Sequence, residues 1–245
     1  MKFIMMKKTP INQDYIFVKT VGEGSFGKVY KGQLKSSGEY RAIKKIDKKC
    51  LDQAELMSIK NEFEMLKKLD HPCIIRLYDI YDSENYLYVV TELCEGGSLL
   101  QFTNQQEISE SLLRTILDQL LGAVRYMHSF NILHRDLKLE NVILVSKYKK
   151  GKNPLELKII DFGTALDMEK EESKHAEIMG TPLYMPPEAF SSEELNSLAW
   201  DMWSVGIMTL MMRTKSLPYN FKTQDELIEK VKATKFAHGS TELII

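Results

Sequence analysis

The segment His134-Arg135-Asp136-Leu137-Lys138-Leu139-Glu140-Asn141 is followed, a short hairpin's length later, by Asp161-Phe162-Gly163. Together these segments place a carboxylate that can act as a base, a lysine and two oxygen ligands for a metal ion in one small loop system. A protein that transfers a phosphoryl group does little covalent chemistry itself, because catalysis consists mostly of holding Mg²⁺, phosphates and hydroxyl in line. The residue types in the two segments are the parts required for that reaction.

Each of these side chains has an expected role in phosphoryl transfer. Asp136 is expected to accept the proton of the acceptor hydroxyl, and Lys138 to neutralise charge on the transferred group. Asn141 and Asp161 are expected to bind Mg²⁺, since this ion prefers oxygen ligands.

A glycine-rich loop precedes these segments, Gly22-Glu23-Gly24-Ser25-Phe26-Gly27-Lys28-Val29, and Ala42-Ile43-Lys44 follows it. Gly22, Gly24 and Gly27 would allow the backbone to close over the phosphates of a nucleotide, while Lys44 reaches their oxygens. A dinucleotide-binding loop would instead have to begin a helix in a βαβ unit. The β-branched and glycine-interrupted residues after Gly27 disfavour such a helix.

The order of these motifs resembles that of the eukaryotic protein kinases, from about residue 15 to about residue 235. Two features resemble the serine/threonine branch of that family: Lys138 and the segment Gly180-Thr181-Pro182-Leu183-Tyr184-Met185-Pro186-Pro187-Glu188. Asn61-Glu62 and Val90-Thr91-Glu92, with the segments that follow them, are most similar to the calcium/calmodulin-dependent and calcium-dependent kinases.

The resemblance implies a two-lobed α+β kinase fold. Residues 1–14 would be an N-terminal extension, residues 15–92 a small antiparallel β-sheet lobe with one helix, and residues 93–245 a larger, mainly helical lobe. The second lobe would be short at its C-terminus. ATP would bind between the lobes, and Mg²⁺ with it.

The resemblance also implies how the nucleotide is bound. Lys44 and Glu62 could be surface charges, but the family pattern favours an interior pair across the cleft. Thr91 would set the depth of the adenine pocket, and main-chain groups of Glu92 and Cys94 would bind the adenine edge. Apolar walls would come from Val29, Ala42, Ile143 and Ile160. His134 is expected to be a core residue that stacks with Phe162, Leu66 and Leu77.

Composition indicates an ordinary globular enzyme. The chain has 245 residues, of which 44% are hydrophobic, and a net charge of −1, so no bulk attraction to nucleic acid or anionic membranes is expected. The 3 cysteines lack metal-ligand spacing and fit a reducing compartment. No membrane span or signal sequence is predicted, which favours the cytoplasm without excluding the nucleus. The lysines near the start are expected to be solvated.

Two positions depart from the family pattern on the substrate side. Ser98 and Met211 stand where many basophilic relatives carry acids, so only Glu140 remains to bind a basic substrate residue. Glu177 lies four positions before Thr181, where relatives that need activation carry a phosphorylated residue. The hypothesis is that its carboxylate partly replaces that phosphate by pairing with Arg135.

The last expectation concerns the helix around Trp203, which is apolar nearly all round and would need cover on every side. Relatives continue beyond the position of Ile245 and pack further helices there. An uncovered surface of the second lobe could therefore bind a partner or a second copy. The alternative to an enzyme that phosphorylates protein serine and threonine is a truncated or pseudokinase-like nucleotide-binding scaffold. No chemical part of a kinase is missing from the chain, which favours the enzyme.

Overall fold

The computed structural model describes residues 6–24, 27–170, 179–190, 196–236 and 243–244. These residues form a smaller lobe built on a β-sheet and a larger lobe built mainly on helices, as the sequence predicted. No helix in the described ranges is both long and apolar enough to cross a membrane.

The smaller lobe is built on a six-stranded sheet in the order β1-β5-β6-β4-β3-β2. All neighbouring strands are antiparallel except β1 and β5, which are parallel. One face of the sheet contributes to the main apolar core, for example through Ile46 and Val89. The strands are β1 (Met6–Lys7), β2 (Tyr15–Gly24), β3 (Gly27–Leu34), β4 (Tyr40–Asp47), β5 (Leu77–Asp82) and β6 (Tyr86–Thr91).

Strand β1 shows that the start of the chain is not a loose, solvated terminus throughout. The Nζ atom of Lys7 lies 2.8 Å from a carboxylate oxygen of Asp79 and 3.3 Å from one of Asp14, and donates to the hydroxyl of Tyr81 at 3.1 Å. Burial alone would lower the pKa of Lys7, but its hydrogen bonds to Asp79 and Tyr81 raise that pKa above the ordinary value. The expectation of a solvated Lys7 is therefore wrong, because a polar cluster binds it to β5.

Helix α1 (Gln53–Lys68) is the helix of the smaller lobe. Asp52 caps it, because its side chain accepts from the N–H of Glu55 at 2.7 Å while Glu55 accepts from the N–H of Asp52 at 2.9 Å. Apolar side chains at helical spacing bury one face of the helix, including Ile59, Phe63 and Leu66. The cap and the apolar face fix which side of α1 meets the cleft.

The larger lobe is centred on α3 and α4, which pack against each other. Ser109 caps α3 by accepting from the N–H of Leu112 at 3.3 Å. The helices are α2 (Leu99–Gln105), α3 (Glu110–Ser129), α4 (Ala199–Thr214) and α5 (Gln224–Ala233). Short strands are β7 (Ile132–Leu133), β8 (Val142–Leu144), β9 (Leu157–Ile159), β10 (Leu166–Asp167), β11 (Lys235–Phe236) and β12 (Leu243–Ile244). β7 pairs with β10 and β8 with β9, which brings the segments around residues 136 and 161 together.

Most of α4 is covered by the rest of the lobe. Its buried side chains are Trp200, Asp201, Ser204, Val205, Ile207, Met208, Met211 and Met212. Met202 is the large apolar side chain of this helix that is exposed, at 48% of its surface. The uncovered surface expected on this helix is therefore small within the described residues.

Candidate active site

A cavity of about 330 Å³ lies between the two lobes. The structure brings together most of the residues predicted for nucleotide and metal binding around this cavity. The residues that line the cavity are Val21, Val29, Ala42, Lys44, Glu62, Ile75, Val89, Thr91, Glu92, Leu93, Cys94, Asn141, Ile143, Ile160 and Asp161. Aliphatic walls with a few charged groups at one end are suited to a flat base attached to phosphates.

The glycine-rich segment includes the end of β2 and the start of β3. Gly22 pairs with Val29, and Gly24 pairs with Gly27 at the end of the ladder, while residues 25–26 lie outside the described ranges. A Cβ atom at Gly27 would lie 2.0 Å from the carbonyl oxygen of Lys45, so a side chain does not fit there. Close approach of β4 to β3 explains why the third glycine is needed.

The Asp136 carboxylate is held by three side chains. Lys138 lies 2.6 Å from Oδ2, the amide nitrogen of Asn141 donates to Oδ2 at 3.0 Å, and the hydroxyl of Thr181 donates to Oδ1 at 2.6 Å. Lys138 also donates to the Thr181 hydroxyl at 2.9 Å. The contact of Thr181 with Asp136 was not predicted, because the two residues lie 45 positions apart in the chain.

A buried carboxylate of α4 fixes the backbone of the loop that carries Asp136. Asp201 accepts from the N–H groups of His134 and Arg135 at 3.0 and 3.1 Å, and lies 2.9 Å from Nε2 of His128. Arg135 has a φ of 68°, in the left-handed region that non-glycine residues seldom occupy. Sequence reasoning missed Asp201, although a lone acid in an apolar helix was a signal for a buried polar contact.

The two predicted metal ligands both line the cavity near Lys44. The amide nitrogen of Asn141 donates to Asp136, which leaves its carbonyl oxygen as the atom suited to a cation. Asp161 has a φ of 65°, an unusual backbone conformation of the kind found at functional sites. Among the described residues, no group of three or more His, Cys, Asp or Glu side chains could hold a metal ion. The two oxygen ligands from Asn141 and Asp161 fit Mg²⁺, because this ion takes its other ligands from water and phosphate.

Glu62 projects from α1 into the same cavity as Lys44. Burial raises the pKa of Glu62 from its ordinary 4.5 to about 7, while the nearby charge of Lys44 acts in the opposite direction. The N–H of Phe162 also donates to this carboxylate and favours its charged form. The interior placement agrees with the predicted interaction across the cleft.

His134 is fully buried and lies in the core, as predicted. Its ring centroid is 4.8 Å from that of Phe162, in an edge-to-face arrangement. Phe162, Leu66 and Leu77 are buried in the same apolar cluster. The packing supports a structural role for this histidine.

The hinge between the lobes, residues 92–95, takes part in two ion pairs, one with each lobe. Glu92 pairs with Lys158 at 2.8 Å, and Lys31 of β3 pairs with Glu95 at 3.0 Å. The N–H of Glu92 donates to the carbonyl of Arg76 at 2.9 Å, and the carbonyl of Glu92 accepts from the Thr91 hydroxyl at 3.3 Å. A carbonyl has two lone pairs, so that of Glu92 can still accept from an adenine. Neither ion pair was predicted, because the partners are far apart in the chain.

On the substrate side, Glu140 accepts from the hydroxyl of Tyr184 at 3.2 Å. Ser98 caps α2 by accepting from the N–H of Gln101 at 3.2 Å, and Met211 is buried. Neither residue contributes a negative charge, which agrees with the sequence. Glu177 lies outside the described residues.

Comparison with known proteins identifies the family. Residues 15–242 match the model of the protein kinase domain. Calcium-dependent protein kinase 6 of Plasmodium berghei (strain Anka) is 38% identical over 216 residues, which cover 88% of this chain and 14% of that protein. Serine/threonine-protein kinase 33 of Mus musculus is 33% identical over 229 residues, covering 91% of this chain and 46% of that protein. Calcium-dependent protein kinase 5 of Plasmodium falciparum (isolate 3D7) is 35% identical over 221 residues, covering 90% and 37%.

The chain therefore belongs to the protein kinase family. It spans less than half the length of each of the three relatives. Use of ATP and a divalent metal ion is general to the protein kinase domain.

Proposed function

We propose that this protein kinase transfers the γ-phosphate of ATP to serine or threonine hydroxyls of protein substrates. The observation that supports the proposal best is the hydrogen-bonded group of Asp136, Lys138 and Thr181, which lies close to Asn141 and the cleft. A base, a cation and an oxygen ligand are thus held together in one place.

Asp136 is the proposed base. Donors from Lys138, Asn141 and Thr181 orient its carboxylate. Accepting the hydroxyl proton makes the substrate oxygen a better nucleophile, and assistance of this kind is typically worth ~10²–10⁴ in rate. Lys138, beside the base, offsets negative charge on the phosphoryl group during transfer.

The nucleotide is proposed to bind in the cavity of about 330 Å³. Val29, Ala42, Ile143 and Ile160 would enclose the adenine, Thr91 would limit its depth, and the main chain of Glu92 and Cys94 would bind its edge. Gly22, Gly24 and Gly27 would cover the phosphates, and Lys44 would bind them while Glu62 holds its ammonium in place.

Asn141 and Asp161 are the residues that would hold Mg²⁺. The ion would neutralise charge on the phosphates and orient them. Asp161 supplies a full negative charge and Asn141 a neutral carbonyl oxygen, so Asp161 is expected to contribute more to metal affinity.

A nucleotide-binding scaffold without activity is not favoured by the sequence or the site. The chain has every side chain that the reaction needs, namely Lys44, Glu62, Asp136, Lys138, Asn141 and Asp161. Lys138 and Asn141 both donate hydrogen bonds to Asp136. A scaffold would have no need to keep each of these side chains.

The test is a radiometric assay with ATP, Mg²⁺ and a panel of basic peptides that differ only in carrying Ser, Thr or Tyr. Phosphate should be transferred to Ser and Thr peptides, and the Asp136→Asn variant should not transfer it. An Asp118→Asn variant, changed at an exposed site on α3, is the matched control. No transfer by the wild-type protein to any peptide would refute the proposal.

A further inference from the structure

One face of α1 lies along the segment between the metal-ligand candidate Asp161 and strand β10. Ser58, Asn61, Glu62 and Lys68 occupy this face, since the last three lie three, four and ten residues after Ser58, which places all four on one side of a helix. Ser58 packs tightly on the segment, because a Cβ atom at Gly163 would lie 2.4 Å from its hydroxyl oxygen. The helix and the segment are therefore in direct contact.

Asn61 makes the central contact of this face. Its amide nitrogen donates to the carbonyl of Gly163 at 3.2 Å and to the carbonyl of Ala165 at 2.7 Å. Two carbonyl acceptors can be satisfied only by a donor group, so the orientation of this amide is determined by its partners. Without Asn61, these two partly buried carbonyls would lose their donor, which is unfavourable.

Between the two carbonyls, Thr164 faces the loop that carries the proposed base. Arg135 donates from Nε to the carbonyl of Thr164 at 2.6 Å, and the Thr164 hydroxyl donates to the carbonyl of His134 at 3.1 Å. Residues 163–165 are thus bound by α1 on one side and by the residues directly before Asp136 on the other. A shift of α1 would be transmitted to that loop through three consecutive residues.

A second contact lies further along the same face of α1. Lys68 pairs with Asp167 at 2.6 Å, and the side chain of Asp167 is only 7% exposed. Asp167 belongs to β10, which pairs with β7, the strand that leads into His134. A buried carboxylate that lost its cation would be strongly disfavoured, so this pair fixes the C-terminal end of α1 against β10.

We propose that Asn61 and the Lys68–Asp167 pair are positioning residues, which hold α1 and the segment 161–167 in the arrangement that catalysis requires. The inference rests on the proposed kinase function and adds residues that do not touch the nucleotide or the acceptor. Both contacts are made by this chain's own side chains and need no phosphorylated residue.

The test is the Asn61→Leu variant, which keeps a similar volume but removes both donors. The expected result is a fall in kcat of about 10- to 100-fold, since a displacement of about 1 Å at a site can cost that much. The KM for the peptide should stay within about twofold, because the acceptor does not contact Asn61. Lys60→Ala, an exposed change on the same helix, is the control and should leave kcat unaltered.

Amide hydrogen exchange gives a readout that does not depend on activity. Asn61→Leu should speed exchange in residues 162–167 while leaving the centre of α3 as protected as in the wild type. Unchanged kcat and unchanged exchange in 162–167 would overturn the proposal, and so would faster exchange throughout the chain, which would mean general unfolding. If the wild type proves inactive, the proposed function fails, but the exchange comparison still decides whether Asn61 holds the segment.

The ion pair is tested with Lys68→Met and Lys68→Arg. Lys68→Met should lower kcat and speed amide exchange in residues 166–167. Lys68→Arg, which keeps the cation, should retain at least half of the wild-type kcat. Equal activity of the Met and Arg variants would contradict a positioning role for this pair.

Discussion

Asp136 is bound by donors from three residues, and none of these donors requires the nucleotide. As the proposed base, Asp136 would contact the acceptor hydroxyl and not the nucleotide. The Asp136→Asn variant should lose turnover by a factor of ~10²–10⁴, while its affinity for a Mg²⁺-bound ATP analogue stays nearly unchanged. Calorimetric titration with the analogue, beside the radiometric assay, measures both quantities. Residual activity above about a tenth of the wild type would contradict the assignment of Asp136 as the base.

Asp161→Asn should behave differently from Asp136→Asn. It removes the charged oxygen ligand proposed for Mg²⁺, so binding of the ATP analogue should weaken in the presence of Mg²⁺ and change little in its absence. Titrations with and without Mg²⁺ separate the two cases. Equal loss of affinity in both conditions would argue against metal binding at Asp161.

The raised pKa of Glu62 leads to a prediction of how the stability of the folded protein depends on pH. Its pKa is raised by burial from 4.5 to about 7, so the folded protein binds this proton more tightly than the unfolded chain does. The stabilising contribution is fully present below about pH 4.5 and is lost as the pH rises through about 7. Melting temperatures in metal-free buffer should therefore fall, relative to those of Glu62→Gln, across this interval. A difference between the two proteins that stays constant with pH would contradict the prediction.

How far single residues could be predicted depends on distance along the chain. Asp136, Lys138 and Asn141 lie within one short segment, so their spacing indicated a common task. Thr181 bonds to Asp136 from 45 residues away, and Asp201 to His134 from 67 residues away. No local pattern specifies such pairs, because only the folded chain brings the partners together.

Among the helices and strands, α3 could be predicted from a local sequence pattern and β1 could not. Helix α3 was predictable because Ser109 is a good cap and apolar residues recur at helical spacing through Met127. Strand β1 has only two residues, and it pairs with a strand more than 70 residues away, as the 74-residue separation of Lys7 and Tyr81 shows. Two residues carry no periodicity, so β1 is defined by its partner alone.

The polar cluster around Lys7 gives a prediction for strand β1. Lys7→Met should lower the free energy of unfolding by about 1 kcal/mol, because Asp14 and Asp79 lose a shared donor in a partly exposed site. Urea unfolding measures the change. Lys8→Met, at the exposed neighbouring position, is the control and should have no comparable effect. Equal effects of the two substitutions would show that Lys7 contributes only its general charge.

In the whole molecule, the cleft is bounded by ion pairs that join the hinge to each lobe. Lys31 of β3 binds Glu95 on the smaller-lobe side, and Lys158 of β9 binds Glu92 on the larger-lobe side. The family fold was predictable as a whole because its motifs occur in order along the chain. The fine placement of one lobe on the other was not, since it depends on these long-range pairs.

The surface of the larger lobe gives the last prediction. Leu121 on α3 and Met202 on the adjoining α4 are 38% and 48% exposed. A large apolar side chain gains ~1.5–3 kcal/mol by leaving water, so contact with a second copy that buries Leu121 and Met202 would be favoured. We expect the 245-residue chain to self-associate at high concentration. Leu121→Lys/Met202→Lys should shift it to monomer, as measured by sedimentation velocity over a concentration series.

The control for this prediction is Asn104→Lys/Gln105→Lys, which adds the same charge at exposed positions of α2. If added charge alone prevented association, both double variants would be monomeric, and Leu121 and Met202 would have no specific role. If the apolar surface drives association, the control should associate like the wild type, because its lysines leave Leu121 and Met202 in place. A wild-type chain that is monomeric at every concentration would contradict the prediction outright, since it would mean that these helices tolerate water on their exposed side.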